Sequence, residues 1–323
     1  MSNILKKLQV RDSTLEKRPM VISADLLEKL DDSEKDSGFI AMDARTFLQD
    51  AWKKFKRNKL AVGGGIFLCL FILVIIFVPM VMPYSYDAID LTNMNKGPSA
   101  EHPFGTDALG RDLLVRVLYG GRISLTVGFV SALLNLLIGT LYGGMAGYLG
   151  GRADQIMMRI VDIIYSIPTM LYVLLITMVF GSSLGTVIAA IAISSWAAMA
   201  RIVRSQVLTL KEQEFTLAAR ALGASDRRIL IKYLLLNSIG PIIVTATLNV
   251  PTAVFSEAFL SFVGCGVAIP MASWGTLSSD ALPNVMTYPY QLFFPVAAIC
   301  LSMFALNFIG DGLNSAFDPR RSK

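Results

Sequence analysis

The residues best suited to chemistry in this sequence are a few polar side chains that stand inside long apolar runs. Glu257 is the clearest case, and Asp162, Asn135 and Asn249 are weaker ones. Burying an uncompensated carboxylate at membrane depth costs several kcal/mol, so each is a candidate functional residue, and Glu257, Asn135 and Asn249 are candidates for a translocation pathway. A second interpretation of Glu257 stays open. It would accept hydrogen bonds in a structural role, at a subunit interface or near the outer end of a water-filled pathway.

Other kinds of site are excluded by what the sequence lacks. His102 is the only histidine, and Cys69, Cys265 and Cys300 all lie in apolar segments. A metal cluster, a Ser-His catalytic site and a disulfide framework are therefore not indicated. A phosphate-binding loop needs Gly-Lys followed by Ser or Thr, and no Gly-Lys dipeptide occurs. We expect no catalytic residue, no metal and no cofactor in this chain, so any ATP and Mg would be bound by other subunits.

The composition places these residues in a membrane protein. The chain is 54% hydrophobic and 16% charged, and its mean hydropathy is +0.57. A helix needs roughly 20 apolar residues to cross the hydrocarbon core, and six charge-poor runs of about that length occur. The sequence predicts an all-α integral membrane protein with six spans near 60–82, 123–148, 160–180, 184–203, 238–264 and 290–313.

The basic residues predict the orientation of these spans, because positively charged segments are retained in the cytoplasm. With the N-terminus inside, 25 of the 29 Lys and Arg residues lie on the inner side. The outer side keeps only Lys96, Arg111, Arg116 and Arg122. We therefore expect six membrane-spanning helices with both termini in the cytoplasm. A nucleic-acid partner is not expected, since the charge flanks the spans and forms no separate basic patch.

The segments outside the spans have simpler patterns. Residues 1–42 are polar and predict a mobile cytoplasmic tail, and residues 321–323 form a short C-terminal tail. Within 43–59, one helical face carries Phe47, Leu48, Ala51, Trp52 and Phe55, while five basic residues stand beside it. This pattern predicts an amphipathic helix on the inner membrane surface, followed by the six-helix domain over 60–320.

A glycine stripe in the second predicted span favours close helix packing. Gly139, Gly143 and Gly147 repeat every four residues, and small residues allow two helix backbones to approach closely in lipid. The sequence alone leaves open whether the neighbouring helix belongs to this chain or to another subunit.

The cytoplasmic segment 211–232, which we call the elbow, carries the main functional signal. Its sequence predicts a short helix, a turn at Gly223 in the left-handed conformation, and a second helix capped by Ser225. Ala218 and Ala219 leave one side of the first helix thin, so we expect it to lie in a groove of another protein with Arg220 as a polar anchor.

At these residues the chain resembles the permease subunits of ABC importers, whose coupling helix has the pattern Glu-Ala-Ala, three residues and Gly, followed later by Ile-x-Leu-Pro. Ala218, Ala219 and Gly223 match this pattern, whereas Leu217 replaces the Glu and Leu236 replaces the Pro. The resemblance implies that ten residues of the elbow contact an ATPase subunit. They are Glu214, Phe215, Leu217, Ala218, Ala219, Arg220, Ala221, Leu222, Gly223 and Ala224.

Further motifs resemble the dipeptide and oligopeptide branch of that family. They are His102-Pro-Phe-Gly-Thr-Asp-Ala-Leu-Gly-Arg-Asp112, Gly120-Gly-Arg-Ile-Ser124, Met199-Ala-Arg-Ile-Val-Arg204, the stretch from Glu257 to Gly264, Ser273-Trp-Gly275 and Phe308-Ile-Gly-Asp-Gly-Leu313. The resemblance implies that two external loops meet a binding protein, through His102, Phe104, Asp107, Arg111, Trp274 and Asp280.

The resemblance also implies the type I ABC importer permease fold and a set of partners. These are a homologous second permease, two cytoplasmic ATPase subunits that bind ATP and Mg, and an extracytoplasmic peptide-binding protein. The implied function is the import of oligopeptides across the lipid bilayer, and replacing Gly223 by a bulky β-branched residue is expected to uncouple ATP hydrolysis from uptake. Related permeases serve dipeptides, nickel complexes or glutathione, so these substrates stay open.

Two other classes of function also stay open at this point. A secondary transporter driven by a proton or sodium gradient would use Glu257 as its coupling carboxylate and would work without partners. A membrane scaffold would use the elbow only to tether a cytoplasmic protein and would show no substrate-dependent phenotype.

Overall fold

The computed structural model describes residues 47–268 and 270–317, and the predictions for 1–42, 43–46 and 321–323 lie outside these ranges. Within them the chain is helical, and an isolated bridge between Thr106 and Asp112 is its only β pairing. The helices are α1 (Phe47–Arg57), α2 (Lys59–Val81), α3 (Leu113–Leu149), α4 (Gly151–Ser166), α5 (Thr169–Phe180), α6 (Leu184–Lys211), α7 (Glu214–Ala221), α8 (Asp226–Arg228), α9 (Ile239–Phe262), α10 (Trp274–Ala281) and α11 (Tyr290–Phe317).

Five of these helices, α2, α3, α6, α9 and α11, are long and apolar enough to cross a membrane. They confirm five of the six predicted spans, and α3 and α6 extend well beyond the predicted bounds. The third predicted span, over 160–180, is interrupted in the structure, which has six spans if the bent pair of helices there is counted as one. The chain there forms α4 and α5, which are bent by 82° at their junction. Pro168 explains the break, since proline lacks an N–H and disfavours helical geometry at the preceding residue, Ile167.

The glycine stripe of α3 packs against α6 of the same chain, which settles the question left open by the sequence. A Cβ at Gly139 would lie 2.7 Å from Met199 Cγ, and one at Gly143 would overlap the carbonyl oxygen of Ala200. A Cβ at Gly147 would lie 2.9 Å from the carbonyl oxygen of Arg204. Three glycines thus allow α3 and α6 to approach at backbone distance over the C-terminal part of α3.

Helices α1, α2 and α11 form a second packed group. The Arg122 side chain of α3 donates to the carbonyl oxygens of Ile75 (3.0 Å) and Ile76 (2.6 Å) and so ties α2 to α3. Ala51 of α1 is buried, whereas Trp52 is exposed and stacks on Phe55. The location of α1 on a membrane surface stays a prediction, and the predicted side-chain positions of Phe47 and Leu48 lie outside the described part.

Candidate functional site

The elbow has the predicted helix, turn and helix, and its turn has the expected conformation. Gly223 has φ +81°, which confirms the left-handed turn. The Gly223 N–H donates to Arg220 O and the Ala224 N–H donates to Ala219 O, both at 3.0 Å. This pair of hydrogen bonds is a Schellman motif, which satisfies the last carbonyls of α7. Ser225 stands at the N-cap of α8, but its side chain makes no capping hydrogen bond, so that part of the prediction was wrong.

The two alanines of the coupling pattern point in different directions. Ala219 is buried against the rest of the chain, next to the buried Thr216, whose hydroxyl donates to Leu210 O at 2.8 Å. Ala218 lies on the exposed side. Successive helical residues are 100° apart, so the expectation that both alanines form one thin docking side was wrong. Ala219 instead allows α7 to lie close to its own chain.

The exposed side of α7 is largely apolar. Leu222 is 88% exposed and Leu217 is 52% exposed, with Ala218 and Ala221 between them on the same face. Phe215 is also exposed at the edge of this face, and Glu214 begins it. Leu217, which replaces the Glu of the family pattern, therefore enlarges the apolar surface. Exposure of such a surface to water is unfavourable.

Polar contacts hold the elbow to the C-terminal end of α3. The Lys211 ammonium donates to Tyr148 O at 2.5 Å, and the Tyr148 hydroxyl donates to Asp226 at 2.5 Å. Arg220 also contacts the Tyr148 hydroxyl, so the predicted anchor to a partner has a contact within this chain.

The second departure from the family pattern lies just after the elbow. Residues Ile229–Leu235 form a π-helix, and the Leu236 N–H donates to Ile231 O at 3.2 Å. A proline at position 236 would lack this donor.

The predicted binding-protein loops form a dense layer at the opposite end of α3. We call residues 82–112 together with α10 the loop layer. Tyr290 of α11 donates to Lys96 O at 2.9 Å, and Gln291 Nε2 donates to Thr106 O and Asn95 Oδ1, each at 2.9 Å. Phe104 stacks on Phe294 with ring centroids 3.9 Å apart. The segment 82–112, which connects α2 to α3, is thereby fixed to the N-terminal end of α11.

A buried charge cluster lies at the centre of the loop layer. Arg111 Nε donates to Asp107 at 2.7 Å, Arg116 donates to the same carboxylate, and the second Arg116 nitrogen lies 3.7 Å from Asp280. Burial raises the pKa of Asp107, but the Arg116 charge together with the Arg111 hydrogen bonds and charge outweighs burial and leaves that pKa below its usual value. The carboxylate is therefore ionised and paired at neutral pH.

His102 and Asp112 form a second buried pair in the loop layer. His102 Nδ1 lies 2.8 Å from Asp112 Oδ2, while Asp112 Oδ1 accepts the Val115 N–H at 2.9 Å and so caps α3. This pair joins the loop to the start of α3.

Most of the residues predicted to contact a binding protein therefore lie beneath the surface of the loop layer. His102, Asp107 and Trp274 are buried, and Phe104 and Arg111 are half-buried. Only Asp280 presents an exposed side chain, at 57%. Contact of this layer with a binding protein stays a prediction.

Glu257 belongs to a sealed polar site where the loop layer meets the spans. It is 0% exposed, and its two oxygens accept from Ser124 (2.6 Å) and Ser261 (2.7 Å). Ser124 in turn accepts the backbone N–H of Trp274 at 3.2 Å, and Trp274 Nε1 donates to Val117 O at 2.9 Å. Three motifs that are distant in sequence thus meet at one carboxylate. This arrangement favours the structural interpretation of Glu257, while its part in a pathway stays a prediction.

The other two pathway candidates do not join this site. Asn135 is buried on α3, and its Oδ1 has no hydrogen-bond partner among the described residues. Asn249 is half-buried on α9. No direct hydrogen bond links Asn135, Asn249 and Glu257 within the described ranges, so these three residues do not form one constellation.

A polar stripe on α4 was missed by the sequence reasoning. Arg152, Gln155, Arg159, Asp162 and Ser166 are all exposed and follow one another at intervals of three and four residues. This spacing places them on one helix face. The signal was available in the sequence, but the apolar run over 160–180 was interpreted as a uniform span.

Comparisons with known proteins establish the family. Residues 139–323 match the family described as the binding-protein-dependent transport system inner membrane component, and this match covers more than half of the chain. The chain belongs to this family. Residues 46–98 of the permease also match the N-terminal transmembrane domain of oligopeptide transport permease C.

Curated relatives agree with that assignment. The oligopeptide transport system permease protein OppC of Bacillus subtilis is 49% identical over 292 residues, which are 90% of the permease and 94% of the relative. The dipeptide transport system permease protein DppC of the same species is 49% identical over 277 residues, covering 85% and 86%. The OppC protein of Escherichia coli K12 is 43% identical over 283 residues, covering 87% and 94%.

A structure titled as an inward-facing conformation of the MetNI methionine ABC transporter aligns with TM-score 0.53 and 22% identity. It covers 63% of the permease and 96% of that chain. At this identity the likeness concerns the fold alone.

These findings confirm the resemblance and the fold class given by the sequence. The permease is a multi-pass protein of the bacterial plasma membrane and a transport subunit of the ABC importer class, with no enzymatic activity of its own. In such systems a separate subunit hydrolyses ATP, and the family name itself states dependence on a binding protein.

Proposed function

We propose that the permease forms half of the translocation pathway of an ATP-driven oligopeptide importer. It would pair with a homologous second permease, and the elbow would contact one of two ATPase subunits that bind ATP and Mg. Both termini would lie in the cytoplasm, as the distribution of Lys and Arg predicts. The loop layer would face an extracytoplasmic peptide-binding protein.

The exposed apolar face of α7 is the observation that supports coupling. Leu217, Ala218 and Leu222 present apolar surface on a helix whose opposite side is fixed to the chain by Thr216 and Ala219. Such a helix fits the groove of a partner and transmits a push, because its own attachment is rigid. The peptide assignment is supported by relatives named for oligopeptide and dipeptide transport at 49% identity.

Reconstitution tests this proposal. The permease, tagged in its native host, is purified in mild detergent, its stoichiometric partners are identified by mass spectrometry, and the complex is placed in liposomes with its binding protein. We expect ATP-dependent uptake of a radiolabelled pentapeptide that persists with a protonophore present. Recovery of the permease alone, or uptake abolished by the protonophore, would instead support a gradient-driven carrier.

Dipeptide import is the second candidate, since the DppC relative is as similar as the OppC relative. Competition of the pentapeptide uptake by dialanine, glutathione or a nickel complex decides among the substrates. Complete competition by dialanine at equimolar concentration would reassign the permease to dipeptides.

A further inference from the structure

Helix α4 divides into three longitudinal stripes. One stripe is buried in the chain and contains Val161 and Asp154. A second is exposed and apolar, with Ile156, Ile160 and Ile163. The third is exposed and polar, and it consists of Arg152, Gln155, Arg159, Asp162 and Ser166. Two exposed stripes of opposite polarity indicate two different environments on the two sides of one helix.

Contacts with α6 show that α4 lies along the inner part of a span. The Arg204 guanidinium donates to both oxygens of Asp154, at 2.5 and 2.6 Å, and Val161 packs in a cluster with Trp196 and Ala197. These pairs run in opposite directions along the two helices, so α4 leads from the inner end of α6 back into the membrane. The polar stripe therefore follows α4 into the span.

The lipid tails are an unsuitable environment for the polar stripe. The ion pair of Asp162 with Arg201 (2.7 Å) has side chains that are 50% and 39% exposed. Arg159 has no ion-pair partner among the described residues. Charged side chains in spans face a bundle interior or a water-filled cavity, because the hydrocarbon does not solvate them.

The break after Ser166 gives an independent indication. Ile167 and Pro168, which follow the last residue of α4, are exposed and lie outside the helices at the 82° bend. Non-helical backbone at membrane depth is tolerated where it lines water or is covered by protein, not where it meets lipid. The third span thus has exposed charges along α4 and exposed residues at its non-helical bend.

We propose that the polar stripe of α4 lines the water-filled inner half of the translocation passage, and that Arg159 contacts the C-terminal carboxylate of a peptide as it crosses. This inference rests on the proposed function. Arg159 makes no ion pair within the described ranges, and a guanidinium matches a carboxylate in geometry and charge. Asp162 is held by Arg201, which itself lies 4.3 Å over the ring of Tyr165, so that pair forms a fixed part of the wall.

Cysteine labelling tests the lining without reference to any substrate. Cys69, Cys265 and Cys300 are replaced by alanine, and single cysteines are placed by Gln155→Cys and Arg159→Cys. Ile160→Cys and Ile163→Cys are the matched controls on the apolar stripe. The complete complex, in inside-out vesicles with ATP withheld, is treated with a charged, membrane-impermeant maleimide. We expect labelling on the polar stripe to be about tenfold faster or more, because the thiolate reacts in water and not in lipid.

Equal labelling of both stripes would overturn the proposal. So would protection of the Arg159→Cys thiol together with its cross-linking to the second permease by a short bifunctional maleimide, which would place the stripe at a subunit interface. Neither result would contradict the proposed function, provided that the same complex still hydrolyses ATP in response to peptide.

Transport measurements test the role of Arg159. Uptake of trialanine is compared with uptake of its C-terminal amide in the wild type, Arg159→Lys and Arg159→Gln. We expect Arg159→Gln to lower trialanine uptake about tenfold while uptake of the amide changes little, and Arg159→Lys to restore most of the difference. An equal loss for both peptides would contradict the carboxylate contact. Absence of ATP-dependent uptake of either peptide by the wild type would instead reject the proposed function.

Discussion

The loop layer and the elbow lie at opposite ends of α3 and differ in the side chains that they bury and expose. The loop layer encloses charged groups, including Asp107 and Arg116, and pairs them within the chain. The elbow also makes its polar contacts within the chain, but it exposes Leu217 and Leu222 on one helix face. The loop layer exposes apolar side chains too, among them Ile89 and Leu91, but these lie outside its helix α10. The two regions therefore differ in that buried charge pairs organise the loop layer, whereas the exposed helix face of the elbow is the proposed contact with a second protein.

The largest expected effect on stability comes from breaking the charge cluster of the loop layer. Arg116→Met leaves Asp107 buried with only part of its compensation, and loss of one partner from a buried pair costs about 3–5 kcal/mol. Thermal unfolding of the purified complex followed by fluorescence measures the loss. The double variant Asp107→Asn with Arg116→Met should be more stable than Arg116→Met alone, and Asp280→Asn should change stability little. An equal loss in the single and double variants would show that the pairing contributes little.

The next effect concerns the sealed site at Glu257. Glu257→Leu leaves the hydroxyls of Ser124 and Ser261 without their acceptor, at about 1–3 kcal/mol for each buried group. Glu257→Gln keeps an acceptor and should retain both the unfolding temperature and peptide uptake. The pathway interpretation would gain if Glu257→Gln abolished uptake at unchanged stability, and the loop layer would then have a direct part in transport.

The sequence predicted the long spans well because their signal is local. Apolar runs such as 60–82 and 290–313 require no knowledge of neighbours, and α2 and α11 confirm them closely. The left-handed turn at Gly223 was predictable for the same reason, since glycine lowers the cost of that conformation.

The features that the sequence did not predict depend mostly on contacts between residues that are distant in the chain. Nothing in the periodicity of the chain shows that Ser124, Glu257 and Trp274 meet, or that Asp107 is enclosed by Arg116. The orientation of Ala218 and Ala219 was also beyond the pattern, because a motif gives spacing and does not say which face the chain itself covers. The polar stripe of α4 is a different case, because its spacing of three and four residues was present but masked by the hydropathy of the whole run.

A smaller effect on stability is expected at the turn of the elbow. Gly223 is exposed and no atom lies within 4 Å of the position of an added Cβ, so a substitution acts through backbone strain alone. Gly223→Val should cost about 1–2 kcal/mol for its positive φ and should turn α7 away from its present direction. We expect peptide-stimulated ATP hydrolysis to persist while uptake falls. Gly223→Asn is the matched control, because asparagine tolerates this conformation, and a loss of uptake as large as in Gly223→Val would argue against strain as the cause.

The smallest effect on stability, and the sharpest test of the comparison, is expected at Leu222. This side chain is 88% exposed, so Leu222→Glu should change the free energy of unfolding by less than about 0.5 kcal/mol. The same substitution places a charge in the middle of the proposed contact with the ATPase, where it would be desolvated without a partner, and should weaken association of the ATPase at least about tenfold. Co-purification at increasing dilution measures this loss, with Glu212→Gln on the neighbouring exposed surface as a control. Retention of the ATPase by Leu222→Glu would remove the apolar face from the docking surface, and the exposed leucines of the elbow would then need another explanation.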